Sequence, residues 1–191
     1  ASPIPVWRVM MLSLFVSSFL TCYALGMYLT HPVTAAAVSA GSPIYVAVVS
    51  RVWTGARLER GFWGAMLLTL VGAGIAISGR AGASAQGLQF RGGEVLIVMA
   101  IVCWTVYSVL AQRWFTPGTS QLQRTWLSSA GAVPWLFAFW AIAHELGAAG
   151  QPNLQPNAKA LVDLTMSAVF CTALATVAWN TGVGRLGVAV A

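Results

Sequence analysis

Charge is what this chain has least of. Ten Lys or Arg and four Asp or Glu stand among 191 residues, 7% of the whole, where an ordinary soluble domain carries about 25%. So few charges cannot cover the exterior of a protein of this size in water. With 58% hydrophobic residues, the bilayer is the expected solvent. The basic residues are spread singly, without a Lys/Arg run, so the net charge of +6 does not point to nucleic acid as a partner. Cys22, Cys103 and Cys171 each lie in an apolar stretch, where free cysteine acts as a small hydrophobe; neither disulfides nor metal are implied. His31 and His144 stand far apart with no second ligand at helical spacing, which leaves a metal site and a cofactor unsupported. Glu59, Glu94, Glu145 and Asp163 fall at the edges of apolar segments, so no constellation for catalysis forms and an enzyme is not expected. The first residues lack the basic, apolar and small-residue order of a signal peptide.

What the chain does have is long apolar runs. Val9 to Ser50 contain no Lys, Arg, Asp or Glu, and a membrane span needs about 20 residues. The stretch reads as two spans joined at "YLTHPV", with His31 as the N-cap and Pro32 at the first helical position, where its missing N–H matters least. The expected spans are A (9–29), B (32–53), C (61–79), D (93–113), E (123–143) and F (161–184). A spanning segment must satisfy every backbone group internally, so six runs of this length predict helices rather than barrel strands. The fold class is therefore an all-α, polytopic membrane helix bundle. The linkers "SGRAGASAQGLQFRGGE" and "GAAGQPNLQPNAK" read as loops, not domain boundaries.

Orientation follows from the basic residues. Arg8, Arg51, Arg57, Arg60, Arg113, Arg124 and Arg185 fall on one side, against Arg80, Arg91 and Lys159 on the other. The positive-inside rule makes the first side cytoplasmic, as expected for a multi-pass protein of the inner cell membrane. Segment A then runs outward and F returns. At that exit Gly182, Gly184 and Gly187 have the spacing G-x-G-x-x-G. A dinucleotide fingerprint needs a short buried strand before the first Gly and a helix after the third. An apolar run of helical length precedes these glycines instead, and a tight Gly-rich turn into another helix is the better reading.

Several residues are candidates for the wall of a cavity. Trp104, Tyr107 and Ser108 lie on D at spacings of three and four, so one helical face carries an indole, a phenol and a hydroxyl. Trp104 is midway along D, whereas aromatic belts sit at the interfaces; a cavity wall and interhelical packing are the two readings. Tyr23 on A, Ser42 on B, and Trp179 and Asn180 on F are further cavity candidates. Pro43, near the middle of B, removes an i to i−4 hydrogen bond and should kink the helix, as a hinge or as a static bend. Gly64, Gly72 and Ala76, with Gly74 and Ser78 beside them, form a small-residue face on C suited to close packing within the bundle or at a homodimer face.

Three stretches carry a resemblance to a family: "AVSAGSPIYVAVVSRVWTGARLERGFWGAMLLTLVGAGIAISG", "GGEVLIVMAIVCWTVYSVLAQRW" and "ATVAWNTGVGRLGVAVA". A helix with a central Ser-Pro, a basic turn, a Gly-rich helix, a Gly-acid pair and a W-x-x-Y-S helix follow in that order. The chain resembles the EamA-type drug/metabolite transporters, and "WTVYSV" and "AWNTGV" are similar to the aromatic and neutral amino-acid exporter branch. The resemblance implies two inverted five-helix repeats, with A to F as the third to eighth of ten helices. Residues 1–91 would hold helices 3–5 and a linker, and residues 92–191 helices 6–8 and the start of helix 9. Laying residues 22–34 on residues 179–191 pairs Leu29 with Leu186 and Val33 with Val190, and an odd number of spans per repeat inverts the second copy. The turn departs from the family's Gly-Glu-Arg-Leu, reading Gly55, Ala56, Arg57, Leu58, so a salt bridge from that Glu does not carry over. The implied function is export of small organic metabolites, amino acids first. A structural membrane subunit and, less favoured, an intramembrane enzyme are the alternatives.

Overall fold

The computed structural model describes residues 4–55, 61–81, 92–115, 119–147, 149–151, 155 and 157–186. The basic turn with Ala56, Arg57, Glu59 and Arg60, as well as Arg91, Gly187 and Val190, lies outside the described residues. Helices are α1 (Val6–Leu29), α2 (Pro32–Ala40), α3 (Ser42–Thr54), α4 (Phe62–Ala81), α5 (Gly93–Trp114), α6 (Gln121–Glu145), α7 (Ala158–Met166) and α8 (Ala175–Leu186), with a π-helical turn over Ser167–Leu174 between the last two. No strand occurs among the described residues. The chain is an all-α helical membrane bundle.

Burial is arranged as lipid solvent demands. The buried polar residues are mostly small hydroxyls, Ser13, Ser17, Thr105, Ser108 and Ser128 among them. Each of these five donates to the carbonyl four residues earlier, as Ser17 does to Ser13 (2.6 Å) and Thr105 to Ile101 (2.8 Å). Back-bonding satisfies a hydroxyl where water is absent, and small side chains let helices approach. Large apolar side chains lie outside, Leu68 being 74% and Ile75 67% exposed.

The chain divides into two compact units, Ala1–Ser17 with Leu110–Ala191, and Ser18–Val109. In the first, the Trp135 indole donates to Met10 O (3.1 Å), Asn180 Nδ2 donates to Thr125 Oγ1 (2.9 Å), and a Cβ on Gly131 would overlap the Ser13 hydroxyl. In the second, Ala35, Ile97 and Ile101 form a core against which Tyr23, Val38, Tyr45 and Val46 pack. There α1 and α5 cross backbone to backbone: a Cβ on Gly26 would lie 2.9 Å from Gly93 O, and one on Gly93 would overlap Thr30 Oγ1.

Three of the expected segments gain detail in the structure. Segment B forms one helical stretch over Thr34–Trp53, interrupted at Gly41 between α2 and α3. Gly41 N–H donates to Val38 O (3.1 Å) in a tightened turn, and Ile44 N–H returns to Gly41 O (3.0 Å). Pro43 cannot donate to Ser39, so the helix restarts with Pro43 in its first turn, where a missing N–H is harmless. On segment C a Cβ on Gly64, Gly72 or Gly74 would meet nothing within 4 Å, so among the described residues this small-residue face is open. Among the described residues five helical stretches are long and apolar enough to cross a membrane, and α4 is itself 20 residues long. Segment F runs further than expected and contains the π turn, in which Ala175 N–H reaches Phe170 O. Gly182 and Gly184 lie inside α8 rather than in a turn, which removes the strand-turn-helix setting of a dinucleotide site.

Candidate functional site

The Ser18–Val109 unit gathers four aromatic rings into a row. Phe19 and Tyr23, one helical turn apart on α1, have ring centroids 5.7 Å apart. Phe19 lies 4.9 Å from Trp104 on α5, and Trp104 lies 5.2 Å from Tyr107 one turn on. The planes are tilted by 32 to 43°, within the offset geometries that aromatic quadrupoles favour. Spacings of four on α1 and three on α5 put each pair on one helical face. Tyr107 is fully buried, and Phe19, Tyr23 and Trp104 are half-buried.

Of the residues singled out from sequence, Tyr23, Trp104 and Tyr107 come together here. Ser108 is buried beside them and donates to Trp104 O at 2.9 Å. Phe19 was missed, although its position four residues before Tyr23 on an apolar helix was the signal for it. Ser42 and Pro43, both half-buried, open α3 beside the Gly41 break. A Cβ on Gly41 would lie 3.2 Å from the Tyr45 hydroxyl, and Tyr45 and Tyr23 pack on the same Ala35–Ile97–Ile101 core. Trp179 and Asn180 belong to the other unit, where Asn180 is buried against Thr125.

The chemistry on offer is that of aromatic faces and hydroxyls. No group of His, Cys, Asp and Glu able to hold a metal ion occurs among the described residues. Glu94, expected at a segment edge, is 8% exposed, and its Oε2 accepts from Gly92 N–H at 2.7 Å at the start of α5. Asp163 pairs with Lys159 at 2.7 Å on the exposed first turns of α7, a contact of small energetic weight.

Fold and site thus define a helical membrane protein with an aromatic row between two of its spans. No protein-family model matches the chain, and no solved structure matches it significantly. It is similar to the protein named "Uncharacterized transporter YyaM" of Bacillus subtilis (strain 168), 22% identical over 169 residues. The similarity covers 88% of this chain and 54% of that protein, so the chain spans about half the length of its curated relative.

Proposed function

We propose that the chain is part of an integral membrane transporter that exports small organic metabolites, neutral or aromatic amino acids foremost, across the inner cell membrane by alternating access. The observation that carries this reading is the row Tyr23–Phe19–Trp104–Tyr107 joining α1 to α5. Aromatic walls with a few placed hydroxyls are the common lining of small-molecule sites, and the half-buried Phe19, Tyr23 and Trp104 leave ring surface for a ligand. The likeness to a protein named as a transporter supports the class and is silent on substrate. The EamA-type resemblance makes residues 1–91 and 92–191 portions of two inverted repeats, in which interrupted helices bind substrate and bend. The interruption at Gly41, followed by Ser42 and Pro43, supports that reading. Trp179 and Asn180 remain cavity candidates within the other unit, where Asn180 bonds to Thr125.

The test is transport in reconstituted vesicles, comparing phenylalanine with alanine. Trp104→Ala removes ring surface that a bulky substrate uses more than a small one, so phenylalanine transport should fall further. Equal losses would make the row interhelical packing. Vesicles that move neither amino acid above the protein-free background would favour a structural subunit.

A further inference from the structure

One end of the first unit collects positive charge, and the described residues there include no acid. The first turns of α1 and α6 and the last turns of α5 and α8 converge there. Trp7 packs edge-on against Trp114 at 5.3 Å, and a Cβ on Gly184 would lie 2.7 Å from the Gln121 amide nitrogen. These helix ends carry Arg8, Arg113, Arg124 and Arg185. No Asp or Glu occurs in residues 1–58, 95–144 or 164–191, so no stretch building this end supplies a carboxylate. The unit's acids, Glu145 and Asp163, sit at the far end of α6 and on α7.

Arg8 rests against two indoles, whereas Arg124, whose Nε is likewise shut off from solvent, lies over the single Phe115 ring at 5.4 Å. The Arg8 guanidinium carbon lies 5.3 Å from the Trp7 ring and 5.7 Å from the Trp114 ring. Its Nε is shut off from solvent and has no hydrogen-bond partner among the described residues. It also occupies the first turn of α1, where the helix's own N–H groups raise the positive potential. A cation partly stripped of water, set against indoles and with no acid beside it among the described residues, favours an anionic ligand. The guanidinium fork matches a phosphate in two parallel hydrogen bonds, and indoles settle at the headgroup level of a bilayer. Val6, Trp7, Leu122 and Trp126 flank this end with exposed apolar surface, which suits acyl chains and glycerol but not a free ion.

We propose that Arg8, lying against the Trp7–Trp114 pair, binds the phosphodiester of an anionic phospholipid at the basic face of the membrane, with Arg113, Arg124 and Arg185 supplying the surrounding field. The test titrates the purified protein, in neutral detergent, with phosphatidylglycerol or phosphatidylcholine and counts bound lipid by native mass spectrometry. The protein should retain phosphatidylglycerol in preference. Arg8→Gln should weaken that binding roughly tenfold, the scale of one charge-assisted hydrogen-bonded contact. Arg113→Gln removes the same charge from an exposed position outside the indole pair and should weaken binding less than about twofold. Excess inorganic phosphate should not displace the lipid. If Arg8→Gln does not elute as a folded protein, Arg8→Lys carries the test, since it keeps the charge and loses the stacked fork; phosphatidylglycerol binding equal to the parent would then overturn the proposal. Equal retention of both lipids, equal losses in Arg8→Gln and Arg113→Gln, or displacement by phosphate would overturn it as well.

Discussion

Gly93→Ala should loosen the crossing of α1 and α5. Gly93 is buried at the first position of α5, and a Cβ there would overlap Thr30 Oγ1, lie 2.5 Å from Gly26 O and lie 3.0 Å from Leu29 Cβ. Thr30 can rotate, but the Gly26 carbonyl belongs to a helix backbone and cannot. The two helices must therefore separate by several tenths of an ångström. A gap of roughly 0.5–1 Å forfeits a quarter to a half of each dispersion contact across it, and inserting a methyl group into a packed site costs about 1–3 kcal/mol. At the helix start, alanine's propensity gives little back. Gly72→Ala is the control, because a Cβ there meets nothing within 4 Å and alanine gains about 1 kcal/mol over glycine inside a helix. Unfolding both variants in graded SDS–detergent mixtures, followed by far-UV circular dichroism, should move their midpoints in opposite directions. Midpoints that shift equally, or a stabilised Gly93→Ala, would refute the close crossing.

Asn180→Ala should destabilise the protein by about 0.5–2 kcal/mol, the range for interhelical hydrogen bonds in membranes; a double-mutant cycle with Thr125→Ala should show coupling, and strict additivity would argue against the bond. Gly92 has φ 94°, a conformation costly for a residue with a Cβ, so Gly92→Ala should lower the SDS midpoint although space is open around it. Pro43→Ala restores a donor at the α2–α3 break and should slow transport in a protein that remains folded, with unequal cysteine accessibility at the two membrane faces; unchanged rates would leave Pro43 with a role in shape alone. Transport should persist when the pH gradient is collapsed, and its loss would direct attention to the buried Glu94.

The class of this protein was legible in its composition. Lipid leaves no other option to a chain with so few charges, because uncovered backbone groups force helices wherever a long apolar run crosses it. Segment ends agreed for the same reason: His31 O accepts the first bond of α2 from Ala35 at 2.9 Å, as an N-cap carbonyl should. The pairing of Trp104 with Tyr107 was legible because a spacing of three fixes a face.

Tertiary structure decided which faces meet. Phe19 and Phe15 are the same residue type on one apolar helix, and only the approach of α5 selects Phe19 for the aromatic row. Glycine spacing gave α4 a face suited to close packing in the bundle or at a dimer face, and among the described residues the closest approaches are instead at Gly26, Gly93, Gly131 and Gly184. Spacing reports that a helix can be approached closely, not that a neighbour is there. The break at Gly41 likewise reflects a choice between a strained kink and a restarted helix, made where Tyr45 and Val38 crowd the position so closely that a Cβ would have to displace them. Apolar sequence specifies solvent and local geometry, while partner choice depends on which surfaces fit when the helices are brought together.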